Sequence, residues 1–286
     1  MKINVYIPSD NLEHVAVLEA FAKGIKASGA ICDVRNVNNY EPSDIAVVFG
    51  VGKKNVPCSY ARGIVIEQQA HRGRSTIVLE KGYVKRDRYY AAGWNGLNGR
   101  ANFRNSGMPP DRWRELETEL HPYQPNTPEK KILVIGQVPS DASVQNVDIV
   151  QWCSHTVLEI KKKIPNREII FRPHPLASKR TPSILHATRS TQSLEEDLRD
   201  AVYAVTYNSN VGVDAVIAGV PVYVADKGAM AYDVASKKLG EAYMPTRKVI
   251  EQWAHNLAYT QWTLDEMREG LPWLHLTKTE SMRAAR

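Results

Sequence analysis

The chain has 286 residues, 43% hydrophobic and 24% charged, a composition that excludes a disordered polymer and gives a length of about two domains. No run nears the ~18 apolar residues of a spanning helix, so no membrane partner is expected, and the first residues enter a strand pattern with no cleavable leader, which points to the cytoplasm, or to a host's cytoplasm if the protein is viral. The net charge is +6, and Cys32, Cys58 and Cys153 are too widely spaced for a zinc ribbon or a redox pair.

Residues 3–7 read as a strand, followed by the turn Pro8-Ser9-Asp10-Asn11 and a helical apolar pattern through Val15, Leu18, Phe21 and Ile25 that stops at Gly29. Residues 31–37, 45–50, 63–66 and 76–80 read as four more strands. From 81 to 125 the periodicity gives way to a stretch rich in Gly, Asn, Arg and aromatic residues, a composition typical of a functional loop. Three prolines between 122 and 128 mark a hinge. A second alternation follows: strands at 131–136, 168–172, 201–206 and 221–224, helices at 147–163 and 194–200. The tail, 248–276, is helical and aromatic. The predicted architecture is α/β: two Rossmann-like domains, 1–127 and 128–247, facing a central cleft, with helices in 248–286 packing back on the first. A monomer or a small homo-oligomer is expected.

Three segments of the second half carry chemistry, each at the carboxyl end of an expected strand. Gly136-Gln137-Val138-Pro139-Ser140-Asp141-Ala142-Ser143 brings amide, carboxylate and hydroxyl groups together; Asp141 suits a base, a nucleophile or a helix cap. Arg172-Pro173-His174-Pro175 stiffens the chain as it leaves a strand and offers an imidazole and a guanidinium to a phosphate, or forms a plain structural turn. Asn208-Ser209-Asn210-Val211-Gly212-Val213-Asp214 opens a helix with small and polar residues, the pattern of an anion site or of an ordinary N-cap.

Together these segments resemble the donor half of GT-B glycosyltransferases, and among them the group with a His-Pro motif that includes capsule-type Kdo transferases and polysialyltransferases. The resemblance covers about residues 130–226. It implies that Gln137, Ser143, Arg172, His174, Asn208, Ser209, Asn210, Gly212 and Asp214 hold a nucleotide sugar, a UDP-sugar in the first place and a CMP-sugar as the other choice. It also makes Asp141 the candidate active-site carboxylate. The long N-terminal region and tandem catalytic module of the capsule enzymes are not seen. The first half, with its Gly96-Leu97-Asn98-Gly99 and Asp111-Arg112-Trp113 segments, resembles small glycosyltransferase-like proteins of bacteriophages, which act or are suspected to act on hydroxymethylated bases of phage DNA.

Between Lys53 and Arg114 stand 13 basic residues and four acidic ones, a local excess of +9. Arg86, Arg88, Tyr90, Trp94, Asn98, Arg100 and Arg104 are the expected acceptor contacts: the cations for phosphates, and the aromatics, with Tyr83, Tyr89, Phe103 and Trp113, for stacking on an extruded base. A solvated basic face over packed aromatics is the plainer alternative. Asp10 and Glu13, beside His14 in the first turn after a strand, are candidate bases for an acceptor hydroxyl. No Asp-x-Asp stands at a strand end, so no metal is expected. The leading expectation is transfer to the 5-hydroxymethyl group of hydroxymethylcytosine or hydroxymethyluracil in double-stranded phage DNA. The alternatives are a Kdo- or sialic-acid-type transferase acting on surface polysaccharide, an epimerase of the same fold, and a catalytically silent nucleic-acid-binding module.

Overall fold

The computed structural model describes residues 1–52, 57–139, 141–144 and 146–278. Lys53, Lys54 and Ser140, and the side chain of Cys58, lie outside the described residues. Two compact units are present: 1–112 with 255–286, and 113–254.

The first unit begins β1 (Ile3–Ile7), α1 (Leu12–Ala27), β2 (Cys32–Asn36), β3 (Ile45–Phe49), α2 (Pro57–His71), β4 (Ser75–Lys81), β5 (Tyr90–Trp94) and α3 (Asp111–Glu115), whose last residues enter the second unit. The second continues with β6 (Lys131–Ile135), α4 (Ile149–Lys163), β7 (Ile169–Arg172), β8 (Thr188–Arg189), α5 (Leu194–Arg199), β9 (Ala201–Thr206), α6 (Val211–Ile217), β10 (Val222–Val224) and α7 (Arg247–Ala258). The chain then returns to the first unit with β11 (Gln261–Trp262), α8 (Leu264–Arg268) and α9 (Leu271–Thr277).

The first sheet has the order β11-β5-β4-β3-β1-β2, parallel from β4 through β2, with β5 antiparallel to β4 and β11 antiparallel to β5. One face buries Ile3, Val5, Val47 and Phe49 against Leu18, Phe21 and Ile25 of α1; the other buries Tyr6, Ala46 and Val48 against Ala61 and Val65 of α2. The second sheet, β10-β9-β6-β7-β8, is parallel throughout. Its strands β6 and β9 are almost wholly buried, which is why they read as continuous apolar runs rather than alternating ones.

Four expectations are corrected. Residues 63–66 are not a strand: they lie inside α2, where Ala61, Val65 and Gln69 repeat every fourth residue and are buried, so Gly-Ile-Val-Ile is a slice of a helix face. The stretch 81–125 contains β5, hidden from a periodicity reading because its Ala-Ala-Gly centre lacks alternation. The tail contains the short strand β11. The division between units falls at 112/113 rather than 127/128: His121 N and Gln124 N donate to Ile217 O and Gly219 O, so the segment before the prolines packs on the second unit. The other division falls at 254/255.

The tail docks on α1 through backbone contact. A Cβ on Gly24 would lie 1.9 Å from Met267 O, and one on Gly270, whose φ is +82°, 2.6 Å from Gly24 O. Only glycine allows both approaches.

Candidate active site

In each sheet the strand order reverses beside the first strand, between β1 and β3 in one and between β6 and β9 in the other. The helices after the two strands of such a pair go to opposite faces, and the crevice this opens beyond the carboxyl ends is where ligands of open α/β sheets bind. Both crevices are lined by polar side chains.

In the second unit the crevice brings Gln137, after β6, against Asn208, after β9. Gln137 Nε2 donates to Asn208 Oδ1 at 2.7 Å, and Asn208 N donates back to Gln137 Oε1 at 3.0 Å. Asn208 Nδ2 donates to Asp226 Oδ2 at 2.8 Å and to Ser143 O at 3.0 Å. Asp141 Oδ1 accepts from Ser143 N and Oγ at 2.9 and 2.8 Å, closing the short turn that follows. Three of the expected donor contacts, Gln137, Asn208 and Ser143, therefore meet the candidate carboxylate in one network. Asp226 was missed from sequence; its signal is an acid two residues past the buried strand β10. Ser209 Oγ accepts from Val211 N at 3.3 Å and caps α6, whereas Asn210, at the N-cap position, makes no capping bond with its side chain.

Beyond β7, His174 Nδ1 accepts from Leu176 N at 3.2 Å, so the neutral ring carries its proton on Nε2, the form that donates to an anion. Three expected donor contacts sit elsewhere. Arg172 Nη1 pairs with Asp197 Oδ2 at 2.7 Å and donates to Gln192 O; the Asp197 side chain is only 3% exposed, so this guanidinium neutralises a buried carboxylate. Gly212 is buried, its Cα packed toward Ala231 and Val224. Asp214 lines a groove of ≈640 Å³ with Leu194, Leu198, Pro122, Tyr123 and Pro125.

In the first unit, Glu13 and His14 stand in the opening turn of α1. The cap of that helix is Asn11, whose side chain accepts from His14 N at 3.0 Å; Asp10 is exposed one residue earlier. Glu13 is bound by Lys81 Nζ and accepts from Tyr90 Oη at 2.8 Å. The Lys81 hydrogen bond holds the Glu13 carboxyl below its usual range. Burial pushes the Tyr90 phenol up to about 12. The His14 ring stacks on Phe49, centroids 4.0 Å apart and planes 19° apart, and Arg62 Nη1 lies 3.2 Å from its Nδ1 and 2.7 Å from Phe49 O. Burial, reinforced by the Arg62 charge, pulls His14 down to about 4.

The expected acceptor contacts do not form one surface. Arg86 and Arg88 are exposed in the turn beyond the carboxyl end of β4. Asn98, Arg100 and Arg104 follow β5, which runs antiparallel and returns the chain to the start of β4, where Asn95 N donates to Thr76 O. The two groups leave opposite ends of a five-residue strand, on the order of 14 Å apart. Arg104 donates to Lys278 O at 3.0 Å. Tyr83, Tyr89, Tyr90, Phe103 and Trp113 are all buried, and Trp94 packs on the core with its Nε1 donating to Leu276 O. Tyr90 and Trp94 are thus structural, and the stacking role is withdrawn from all six rings.

No protein-family model matches the chain, and no curated protein matches it. Solved structures do. The β-Kdo 2,4 transferase structure of Thermosulfurimonas dismutans KpsC superposes with a TM-score of 0.58 at 14% identity over 89% of each chain. The β-Kdo 2,7 transferase structure of the same protein gives 0.53 at 14% identity over 97% of this chain and 100% of that one. The fold is that of the GT-B glycosyltransferases. A UDP-GlcNAc 2-epimerase of Neisseria meningitidis, bound to UDP-GlcNAc, covers 97% of this chain and all of its own at 11% identity, but its TM-score of 0.34 carries no argument. Among the described residues, no cluster of three metal-ligating side chains occurs and no helix is long and apolar enough to cross a membrane.

Proposed function

We propose that the chain is a glycosyltransferase that moves a sugar from a nucleotide sugar to an acceptor hydroxyl. The observation that carries this is the network Gln137–Asn208–Asp226–Ser143–Asp141 at the crevice of the second sheet, on a GT-B fold. In this reading His174 Nε2–H and the Ser209 turn hold phosphate, and Asn208 and Gln137 fix the loops around it. Asp141 is the carboxylate at the reacting sugar. The first unit binds the acceptor at its own crevice, where Glu13, His14 and Lys81 stand; Asp10 is the exposed acid of the same turn.

A CMP-activated sugar of the Kdo or sialic-acid type, delivered to an acidic glycan, is favoured over a UDP-sugar delivered to DNA. The two structures named above with TM-scores of 0.58 and 0.53 are β-Kdo transferases. Five of the six rings that would stack on an extruded base are buried, and Trp94 is half-buried against the core. The DNA reading keeps one support, the exposed turn with Lys85, Arg86 and Arg88, which suits phosphates as well as carboxylates.

The test is donor-dependent nucleotide release with CMP-, UDP- and GDP-sugars, each offered with an acidic oligosaccharide, unmodified DNA, hydroxymethylcytosine DNA and hydroxymethyluracil DNA, with products weighed by mass spectrometry. CMP release with sugar on the glycan is expected. A sugar-sized gain on one hydroxymethylated base returns the acceptor to DNA. No transfer from any donor refutes the transferase reading.

A further inference from the structure

His14 is the only histidine of the first unit drawn into its crevice among the described residues, and its surroundings dictate which ring nitrogen carries the proton. A guanidinium has five N–H donors and no acceptor. Arg62 Nη1 lies 2.7 Å from Phe49 O and 3.2 Å from His14 Nδ1, so its two hydrogens serve those two acceptors. Nδ1 therefore presents its lone pair, and the neutral ring carries hydrogen on Nε2. Stacking on Phe49 fixes the ring plane, and the Asn11 cap fixes the backbone of residue 14. Protonating Nδ1 would put two donors face to face and a second cation beside Arg62. The other charges acting on the ring are Lys81 of β4, which opposes protonation, and Glu13 and Asp10 of its own turn, which favour it.

We propose that His14 serves the acceptor as a hydrogen-bond donor through Nε2–H, with Arg62 as the residue that positions it, and not as the base that removes the acceptor's proton. This rests on the glycosyltransferase reading. The ring contacts a lone-pair oxygen of the acceptor, and Arg62 and Lys81 nearby favour an anionic one, a carboxylate or phosphate oxygen flanking the hydroxyl that reacts. Removal of the proton falls to a carboxylate, and the selectivity of the first unit falls to the donor.

Two measurements decide it. The first needs no substrate: ¹⁵N NMR of histidine-labelled full-length protein is expected to show the Nε2–H tautomer for His14, with no titration between pH 5 and 8. Arg62→Met is expected to release Nδ1 and bring the titration back toward 6.5. The second is transfer kinetics. A glutamine amide reaches about where Nε2–H does, so His14→Gln is expected to keep kcat/KM within about fivefold, whereas His14→Ala loses about thirtyfold, the worth of one charge-assisted hydrogen bond. An Nδ1–H tautomer, an ordinary titration in the wild type, or a Gln variant as inactive as the Ala variant overturns the proposal. A wild-type chain that shows the Nε2–H tautomer but transfers no sugar overturns the transferase reading, and the acceptor role with it, while leaving the tautomer established.

Discussion

Asn208→Ala is the most informative single change in the second unit. The side chain accepts from Gln137 Nε2 at 2.7 Å and donates to Asp226 Oδ2 at 2.8 Å and to Ser143 O at 3.0 Å. Gln137 and Asn208 are buried, so truncation leaves an amide N–H and a main-chain carbonyl without their partner and removes a donor from a carboxylate. At about 1 kcal/mol for each neutral bond and roughly 2 for the bond to Asp226, the loss is about 4 kcal/mol. Water entering the vacated space at this crevice recovers part of it, leaving about 2–3 kcal/mol. For a domain of this size that corresponds to a fall in the melting temperature of about 6–10 °C. Circular dichroism melts of the wild type, Asn208→Ala, Gln137→Ala and the double variant measure it. The double variant is expected to lose less than the sum of the singles, because both truncations remove the same bond, Gln137 Nε2 to Asn208 Oδ1. A fall under 1 °C, or strict additivity, refutes the claim that this network holds the β6 and β9 loops together.

Arg172→Ala is expected to act on stability before ligand affinity: it leaves the buried Asp197 carboxylate with the Ser190 hydroxyl but no cation, and breaking such a buried pair costs about 3 kcal/mol; an unchanged melt with a raised donor KM would return Arg172 to the binding site. Gly24→Ala is expected to cost about 1–3 kcal/mol by overpacking, since α8 must retreat from the new methyl, and proteolysis should then remove the tail first; a melt equal to the wild type's would refute the close approach. The His14 ring, held near 4 against 6.5 when unfolded, takes up a proton more readily in the unfolded chain, so its contribution is full above pH 6.5 and declines toward pH 4; urea midpoints compared with His14→Gln should show a steeper acid loss in the wild type over that window, and equal slopes would refute it.

Much of this was legible in the sequence because it rests on local rules. The parallel strands β1, β3, β6 and β9 announce themselves as short apolar runs, and α1 and α4 as helical periodicities between turn residues. The polar segments after β6, β7 and β9, which hold Ser143, His174 and Ser209, could be placed at strand ends for the same reason. What failed depends on partners far away in the chain. A four-residue apolar run cannot declare whether it lies in a strand or on a helix, and 63–66 took the helix because α2 buries one side of it. The aromatics of 83–113 look available until the fold shows them covered. Arg172 looks like a phosphate ligand until Asp197, 25 residues on, claims it. Strand order is invisible in the sequence, yet it alone marks the two crevices and joins His14 to Arg62 and Asn208 to Asp226.

The first sheet is completed by strand β11, and Tyr83 N bonds to Gln261 across 178 residues of sequence. On a ribosome, everything between them, the whole second unit included, is made first. Until Gln261 and Trp262 emerge, the outer edge of β5 has no partner there, and Gln261, which satisfies Tyr83, Val84 and their turn, is missing. The second unit is contiguous and can close while still tethered. The order of synthesis therefore favours a nascent chain whose later-made domain matures first, with an open strand edge waiting behind it, the surface on which a chaperone or a neighbouring nascent chain would act.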